Sequence, residues 1–255
     1  MRTVYATRYI APLREGGSLP AIVEADDAGM YVLKFRGAGQ GPKVLVAELI
    51  AGEIARAASL PIPELVFVQL DADLGRTEPD SEIQALIKSS DGLNIGMDYL
   101  PGSVMFDPLA ETLDTDLASR IVWFDAYVTN VDRTARNTNL LMWHRRLQLI
   151  DHGASLYFHH DWGDHEQRSA DPFKAIKDHV LLPFANALEA ADEFMTRQIS
   201  IEDLQRIVAL VPDSWLAQDR YFDTPQAYRD AYLTYLTRRL EHHRAFLEEA
   251  IRARA

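Results

Sequence analysis

An α+β fold is predicted, with a β-rich N-terminal part carrying one main helix, followed by a mostly helical C-terminal part. Three observations predict it. Short β-branched and aromatic runs separated by turn residues fill positions 1 to about 105, and helical periodicity takes over after Pro101-Gly102. The chain has 255 residues, 47% hydrophobic and 25% charged, enough for a packed core in one large domain or two small lobes. The division is expected near Asp98 to Ser103, separating residues 1–100 from 101–255.

The elements follow in order. Strands are expected over Val4 to Ile10, Leu19 to Glu24, Met30 to Phe35, Leu65 to Leu70 and Asn94 to Tyr99. One clear helix interrupts them from about Lys43 to Ala58, with Pro42 at its start and Pro61-Ile62-Pro63 beyond its end. A shorter helix, about Ser81 to Ser90, stops at the turn dipeptide Asp91-Gly92. The second part opens with a helix over about Asp114 to Thr129, then two short strands, Asn139 to Trp143 and Leu147 to Ile150. From Pro172 the pattern is helical. Ser200 with Asp203 resembles a capping box, and Thr224-Pro225 opens a long final helix expected to reach about Arg252.

Composition removes several classes of function. With no cysteine, the chain has no disulfide, thiolate metal site or cysteine nucleophile, so any chemistry uses oxygen and nitrogen groups. No apolar run approaches the roughly 18 to 20 residues that cross a bilayer, and the first residues lack the apolar core of a secretion signal, which predicts a soluble cytoplasmic protein. A net charge of −12 argues against nucleic acid and anionic membrane as partners. Positive charge is nevertheless concentrated twice: Lys34, Arg36 and Lys43 lie in an acid-free stretch from Ala28 to Ala47, and Arg133, Arg136, Arg145 and Arg146 in another from Arg133 to Ile150. Each lies beside Gly or Asn residues, a pattern that suits a small polyanion such as a nucleotide.

The motifs point the same way. Gly37-Ala38-Gly39-Gln40-Gly41-Pro42-Lys43 joins a strand to a helix, where backbone amides meet phosphates, but Pro42 and Val44 exclude a P-loop and Pro42 excludes a dinucleotide fingerprint. Glu15-Gly16-Gly17-Ser18 forms a hairpin of the kind that lies over phosphates, with Gly17 and Ser18 as nucleotide contacts. The strongest constellation runs from Asn130 to Leu141 and continues at Leu149-Ile150-Asp151-His152-Gly153. Phosphoryl transfer needs a carboxylate that orients the attacking hydroxyl and oxygen ligands that hold magnesium across the phosphates. Asp132 supplies the first; Asn137, five residues on, and Asp151 supply the second. Arg133 has two possible roles, fixing the loop or neutralising developing charge. Lys34, the single charge in the apolar strand Tyr31-Val32-Leu33-Lys34-Phe35, suits a phosphate contact pinned by a glutamate on the next helix. Glu48 and Glu53 both qualify, and helical projection does not choose between them.

These residues resemble the HipA-like kinases, distant members of the protein-kinase and phosphatidylinositol 3/4-kinase superfamily. The resemblance is carried by Tyr31 to Gly41, by Ala47 to Glu64 with its Leu60-Pro61-Ile62-Pro63-Glu64 ending, and by Asn130 to His160. It implies a two-lobed protein-kinase-like fold with ATP and Mg2+ between the lobes, and γ-phosphate transfer to a hydroxyl of a protein Ser/Thr or a small molecule. By position it implies Lys34 as the phosphate lysine, Glu48 as its partner, Asp132 as the catalytic acid, Asn137 and Asp151 as metal ligands, and Met97 to Leu100, including Tyr99, as the hinge whose backbone meets adenine. His152-Gly153 departs from the usual Phe-Gly, keeping the turn but not the aromatic packing.

Two rival readings follow from other residues. Phe158-His159-His160-Asp161-Trp162-Gly163-Asp164-His165 packs five potential ligands into seven positions, as in metal-dependent phosphohydrolases. A non-catalytic nucleotide-binding module is the other, presenting Tyr228, Tyr232, Tyr235, Leu236 and Leu240 of the last helix to a partner, although that spacing is commoner in a core.

Overall fold

The computed structural model describes residues 1–13, 19–39, 41–76, 78–217 and 219–255. Its N-terminal part is a closed five-stranded barrel of β1 (Thr3–Pro12), β2 (Ala21–Ala25), β3 (Met30–Lys34), β4 (Leu65–Leu70) and β5 (Gly92–Asp98), in the order β1-β2-β3-β5-β4. Closure comes from a parallel pairing of β1 with β4 at Thr3 to Tyr5; the other neighbours are antiparallel.

Strand alternation gives the barrel two apolar faces. Val4, Val23, Tyr31, Leu33, Val66 and Val68 fill the inside, closed at one end by Ile83 and Ile87 of a short helix. Leu65, Phe67, Ile95 and Met97 point outward into the main core. Against that outer face lies α1 (Pro42–Ala57), buried at every position from Leu45 to Ala55 because the C-terminal helices cover its other side. The short helix is α2 (Ser81–Ser89), capped by Asp80.

After Asp98 the chain leaves the barrel. A second, three-stranded sheet is formed by β6 (Val104–Met105), β7 (Leu140–Trp143) and β8 (Arg146–Leu149), with β7 in the middle and α3 (Thr115–Tyr127) between β6 and β7 in the chain. The remainder is helical: α4 (His165–Arg168), α5 (Leu188–Gln198), α6 (Ile201–Ala209), α7 (Asp213–Leu216), α8 (Pro225–Glu241) and α9 (His243–Arg254), with short 3-10 turns between. Ser200 caps α6 by accepting from the Asp203 amide at 3.0 Å, and Thr224 caps α8.

The single long final helix expected from sequence is two helices. His242 leaves helical geometry at φ −102°, ψ 23°, and its imidazole Nδ1 lies 2.7 Å from the Arg238 carbonyl, closing the end of α8. The turn redirects α9 so that Phe246 packs edge-on against Trp123 of α3, ring centroids 5.2 Å apart. Tyr228, Tyr232, Tyr235 and Leu236 are buried and belong to the core, so they are not a partner-binding face.

The two parts of the chain are tied at named points. Trp215 donates through Nε1 to the Leu93 carbonyl at 2.9 Å and sets its ring edge against Phe67. Lys43 at the start of α1 reaches Asp219 at 2.7 Å and the His159 carbonyl at 2.6 Å. The Leu149 amide donates to Pro61 at 2.7 Å. Among the described residues no helix is long and apolar enough to cross a membrane.

Candidate active site

Lys34 ends β3 on the strand face opposite Tyr31 and Leu33, so its side chain turns out of the barrel toward α1. There Nζ donates to Glu48 Oε2 at 2.6 Å and to Asp151 Oδ1 at 2.5 Å. Glu53 is also buried but pairs with Arg56 one turn further along α1. The geometry therefore separates the two glutamates that the sequence leaves open. Glu48 Oε2 accepts a second bond, from the His152 amide at 2.8 Å, so one carboxylate joins β3, α1 and the Asp151 turn.

The electrostatics follow from that contact. Burial pulls the Lys34 ammonium down, but Glu48 and Asp151 outweigh it and hold it above the ordinary lysine value. Burial pushes Glu48 up, yet Lys34 and His152 hold its pKa at about 2. The site carries a protonated lysine against the ionised Glu48 carboxylate at neutral pH.

Asp151 has left-handed backbone, φ 54°, which lets its carboxylate turn back to Lys34. Gly153 completes the turn: a Cβ there would come within 2.6 Å of Val44 on α1. The aromatic packing expected to be lost at His152 is partly kept, because the buried imidazole lies edge-on to Phe124 at 5.8 Å.

Asp132 and Asn137 meet directly. Asn137 Nδ2 donates to Asp132 Oδ2 at 2.7 Å, and Asn139 Nδ2 donates to the same oxygen at 3.3 Å. Asp132 Oδ1, Asn137 Oδ1 and Asp151 Oδ2 carry no hydrogen bond from the described residues. All are hard donors, a set that fits a hydroxyl proton and a magnesium ion.

Arg133 lies within the loop's own hydrogen-bond network. Its guanidinium is fully buried, donating through Nε to Asp125 at 2.6 Å and through NH1 to the Asn139 and Ile150 carbonyls. Met97 lies in β5 opposite Val32 and faces the main core, while Met142 and Ile150 pack against the same core from the second sheet and its edge. Val32, Met142 and Ile150 were not singled out from sequence, since apolar residues in strands read only as core. Tyr99 departs from the hinge expectation in one respect: its amide already donates to the Met30 carbonyl at 2.9 Å, and that of Asp98 to Glu64 at 2.8 Å. The Leu100 amide has no acceptor among the described residues. Gly17 and Ser18 lie outside the described residues.

The positive segments divide between site and scaffold: Lys34 faces the cleft, whereas Lys43 binds Asp219 and Arg133 binds Asp125. The His159 to His165 segment does not converge. His159 is buried with Nδ1 2.9 Å from the Tyr232 hydroxyl, and His165 Nδ1 lies 2.6 Å from the Trp162 carbonyl. Among the described residues no group of three or more His, Asp or Glu side chains is placed to hold a metal, so the potential ligands of this segment are not gathered into one. Asp125 and His179 are the polar site neighbours that sequence reasoning missed. An isolated acid in the apolar run Ile121 to Tyr127 was the available signal for Asp125.

No curated protein matches the chain. Among solved structures it is similar to the Helicobacter pylori proinflammatory kinase CtkA, at 11% identity, 97% of each chain covered and a TM-score of 0.56. It is also similar to the Golgi casein kinase with Mn/ADP bound, at 11% identity, 97% of this chain and 74% of the other, TM-score 0.53. At that identity the likeness is one of fold, the protein-kinase-like fold. The family model for HipA-like kinases matches residues 7–248, nearly the whole length, and the chain belongs to that family.

Proposed function

We propose that this protein transfers the γ-phosphate of ATP, with Mg2+, to a hydroxyl of an acceptor. One observation carries the reading: Asp151, which with Glu48 clamps Lys34, follows Ile150, whose amide donates at 3.1 Å to the Asn139 carbonyl on the loop that carries Asp132 and Asn137. Residues 1–100 act as an N-lobe over the nucleotide and 101–255 as a C-lobe carrying the loop. Val32, Met97, Met142 and Ile150 would line the adenine, and the Leu100 amide would be the hinge donor. The divalent metal and nucleotide of the Golgi casein kinase support the same assignment here.

The chain's own groups divide the work. Lys34 contacts the phosphates, and Glu48 keeps it extended and charged. Asn137 is turned by its Nδ2 bond to Asp132, which leaves Oδ1 for the metal, and Asp151 Oδ2 is the second ligand. A magnesium ion held by Asn137 and Asp151 would supply neutralisation of the phosphate charge. Asp132 Oδ2 is occupied by Asn137 and Asn139, so Oδ1 orients the acceptor hydroxyl and takes its proton as the oxygen joins phosphorus and the bond to ADP breaks. Catalysis is mainly positioning and charge neutralisation.

The test is ADP formation from ATP and magnesium, with casein and glycerol offered as protein and small-molecule hydroxyls, for wild type and Asp132→Ala. Loss of a positioned base predicts turnover lower by about 10²–10⁴-fold with nucleotide affinity retained. Turnover at the wild-type rate in Asp132→Ala would contradict the role.

A further inference from the structure

Behind the loop lies a buried polar network that none of the reacting groups explains by itself. Asp125, on α3, is 0% exposed. Its Oδ1 accepts from Asn130 Nδ2 at 2.9 Å; its Oδ2 accepts from Arg133 Nε at 2.6 Å and from His179 Nε2 at 2.8 Å. Burial pushes this carboxyl up, but Arg133 and His179 outweigh it and keep it ionised. His179 arrives from a distant turn of the C-terminal part. Its Nδ1 accepts the Leu181 amide at 3.0 Å, which puts the ring proton on Nε2 and aims it at Asp125.

Two of the bonds from this hub end beside Asp132. Asn130, held through Nδ2, accepts the Asp132 amide on its Oδ1 at 3.1 Å. Arg133, held through Nε, spans the Asn139 carbonyl and the Ile150 carbonyl, the latter immediately before Asp151. The turn carrying His179 is also strapped to the loop through backbone: Thr134 bridges His179, and the Val180 amide donates to the Arg133 carbonyl at 3.1 Å. A buried ion pair gains little stability over an apolar substitute, so a network of this placement is better explained by the geometry it imposes.

We infer that Asp125 and His179 form the positioning pair of the catalytic loop, fixing where Asp132 and Asp151 stand without touching substrate; this rests on the phosphotransfer reading above. Arg133 and Asn130 relay that position.

The experiment uses the full chain with His179→Ala and His179→Gln, whose amide can donate to Asp125 in place of the ring. Four quantities are read: thermal midpoint, ADP·Mg2+ affinity by calorimetry, kcat and KM for ADP formation from ATP, and amide hydrogen exchange across the chain. In His179→Ala, exchange over residues 130–139 rises and kcat falls, each by about 10-fold or more, while KM and ADP affinity stay within about 3-fold. His179→Gln recovers most of both. If His179→Ala does not fold, His179→Asn, whose shorter amide keeps an acceptor near the Leu181 amide but stops short of Asp125, carries the same expectations. Unchanged exchange and kcat overturn the inference, as does a loss of protection spread evenly over the chain with no rescue by Gln. A wild type that forms no ADP refutes the phosphotransfer reading, and the positioning pair is then decided by exchange over 130–139 alone.

Discussion

Replacing Glu48 by Gln keeps the shape of the side chain and removes the charge opposite Lys34. The cost can be worked from the site. Glu48 is buried and its pKa is held at about 2 against an ordinary 4.5, so its ionised form is favoured in the fold by about 3 kcal/mol, at 1.36 kcal/mol per pKa unit. A neutral isostere forfeits that amount at pH 7. For a chain of this size it corresponds to a fall in thermal midpoint of about 6–12 °C. Lys34 keeps Asp151 as a partner, so the variant is expected to remain folded at 25 °C. The control is Glu53→Gln, which breaks a pair with a half-exposed Arg56 and is expected to cost about 1 kcal/mol or less. Thermal melts of the three chains at pH 7 make the comparison. A larger fall for Glu53→Gln than for Glu48→Gln, or a Glu48→Gln midpoint within 2 °C of wild type (about the effect of 0.5–1 kcal/mol), would refute the reasoning.

Two further outcomes follow from the same structure. The folded-state pKa values of Glu48 and Asp125 lie below their unfolded values, so their contribution is complete above about pH 4.5 and is lost as pH falls toward 2; denaturant midpoints should drop through that window, and the gap between wild type and Glu48→Gln should narrow with them. Gly96 faces the barrel interior, where a Cβ would stand 2.6 Å from Val68 Cγ2 and 3.2 Å from Tyr31 Cβ, so Gly96→Ala should overpack the barrel by about 1–3 kcal/mol in urea unfolding.

Much of the site is readable from residue type and spacing. Lys34 stands out because a lone ammonium in an apolar strand needs a partner, and the interval from Asp132 through Asn137 to Asp151 matches the groups that phosphoryl transfer requires. What could not be read has physical reasons. Helical projection fails on α1 because the helix lies between the barrel and α6–α7 and is buried on all sides, so Glu48 and Glu53 both sit on apolar faces. The break at His242 is invisible because the helical pattern runs on through it; the packing of Phe246 on Trp123 sets the new direction. β6 has two residues, too few to show a period. The histidine-rich segment misleads because neighbours in a loop point apart, one into an aromatic core and another onto a local carbonyl. Asp125 and His179 are 54 positions apart, a separation over which a single sequence shows no contact.

The central claim is a nucleotide site that needs a divalent metal held by Asp151. Calorimetric titration with a nonhydrolysable ATP analogue, with and without magnesium, for wild type and Asp151→Ala tests it most directly. The account predicts binding by wild type that strengthens with magnesium, and loss of that magnesium dependence in Asp151→Ala. Folded wild-type protein that binds no analogue at millimolar concentration, or Asp151→Ala binding with undiminished magnesium dependence, would contradict it.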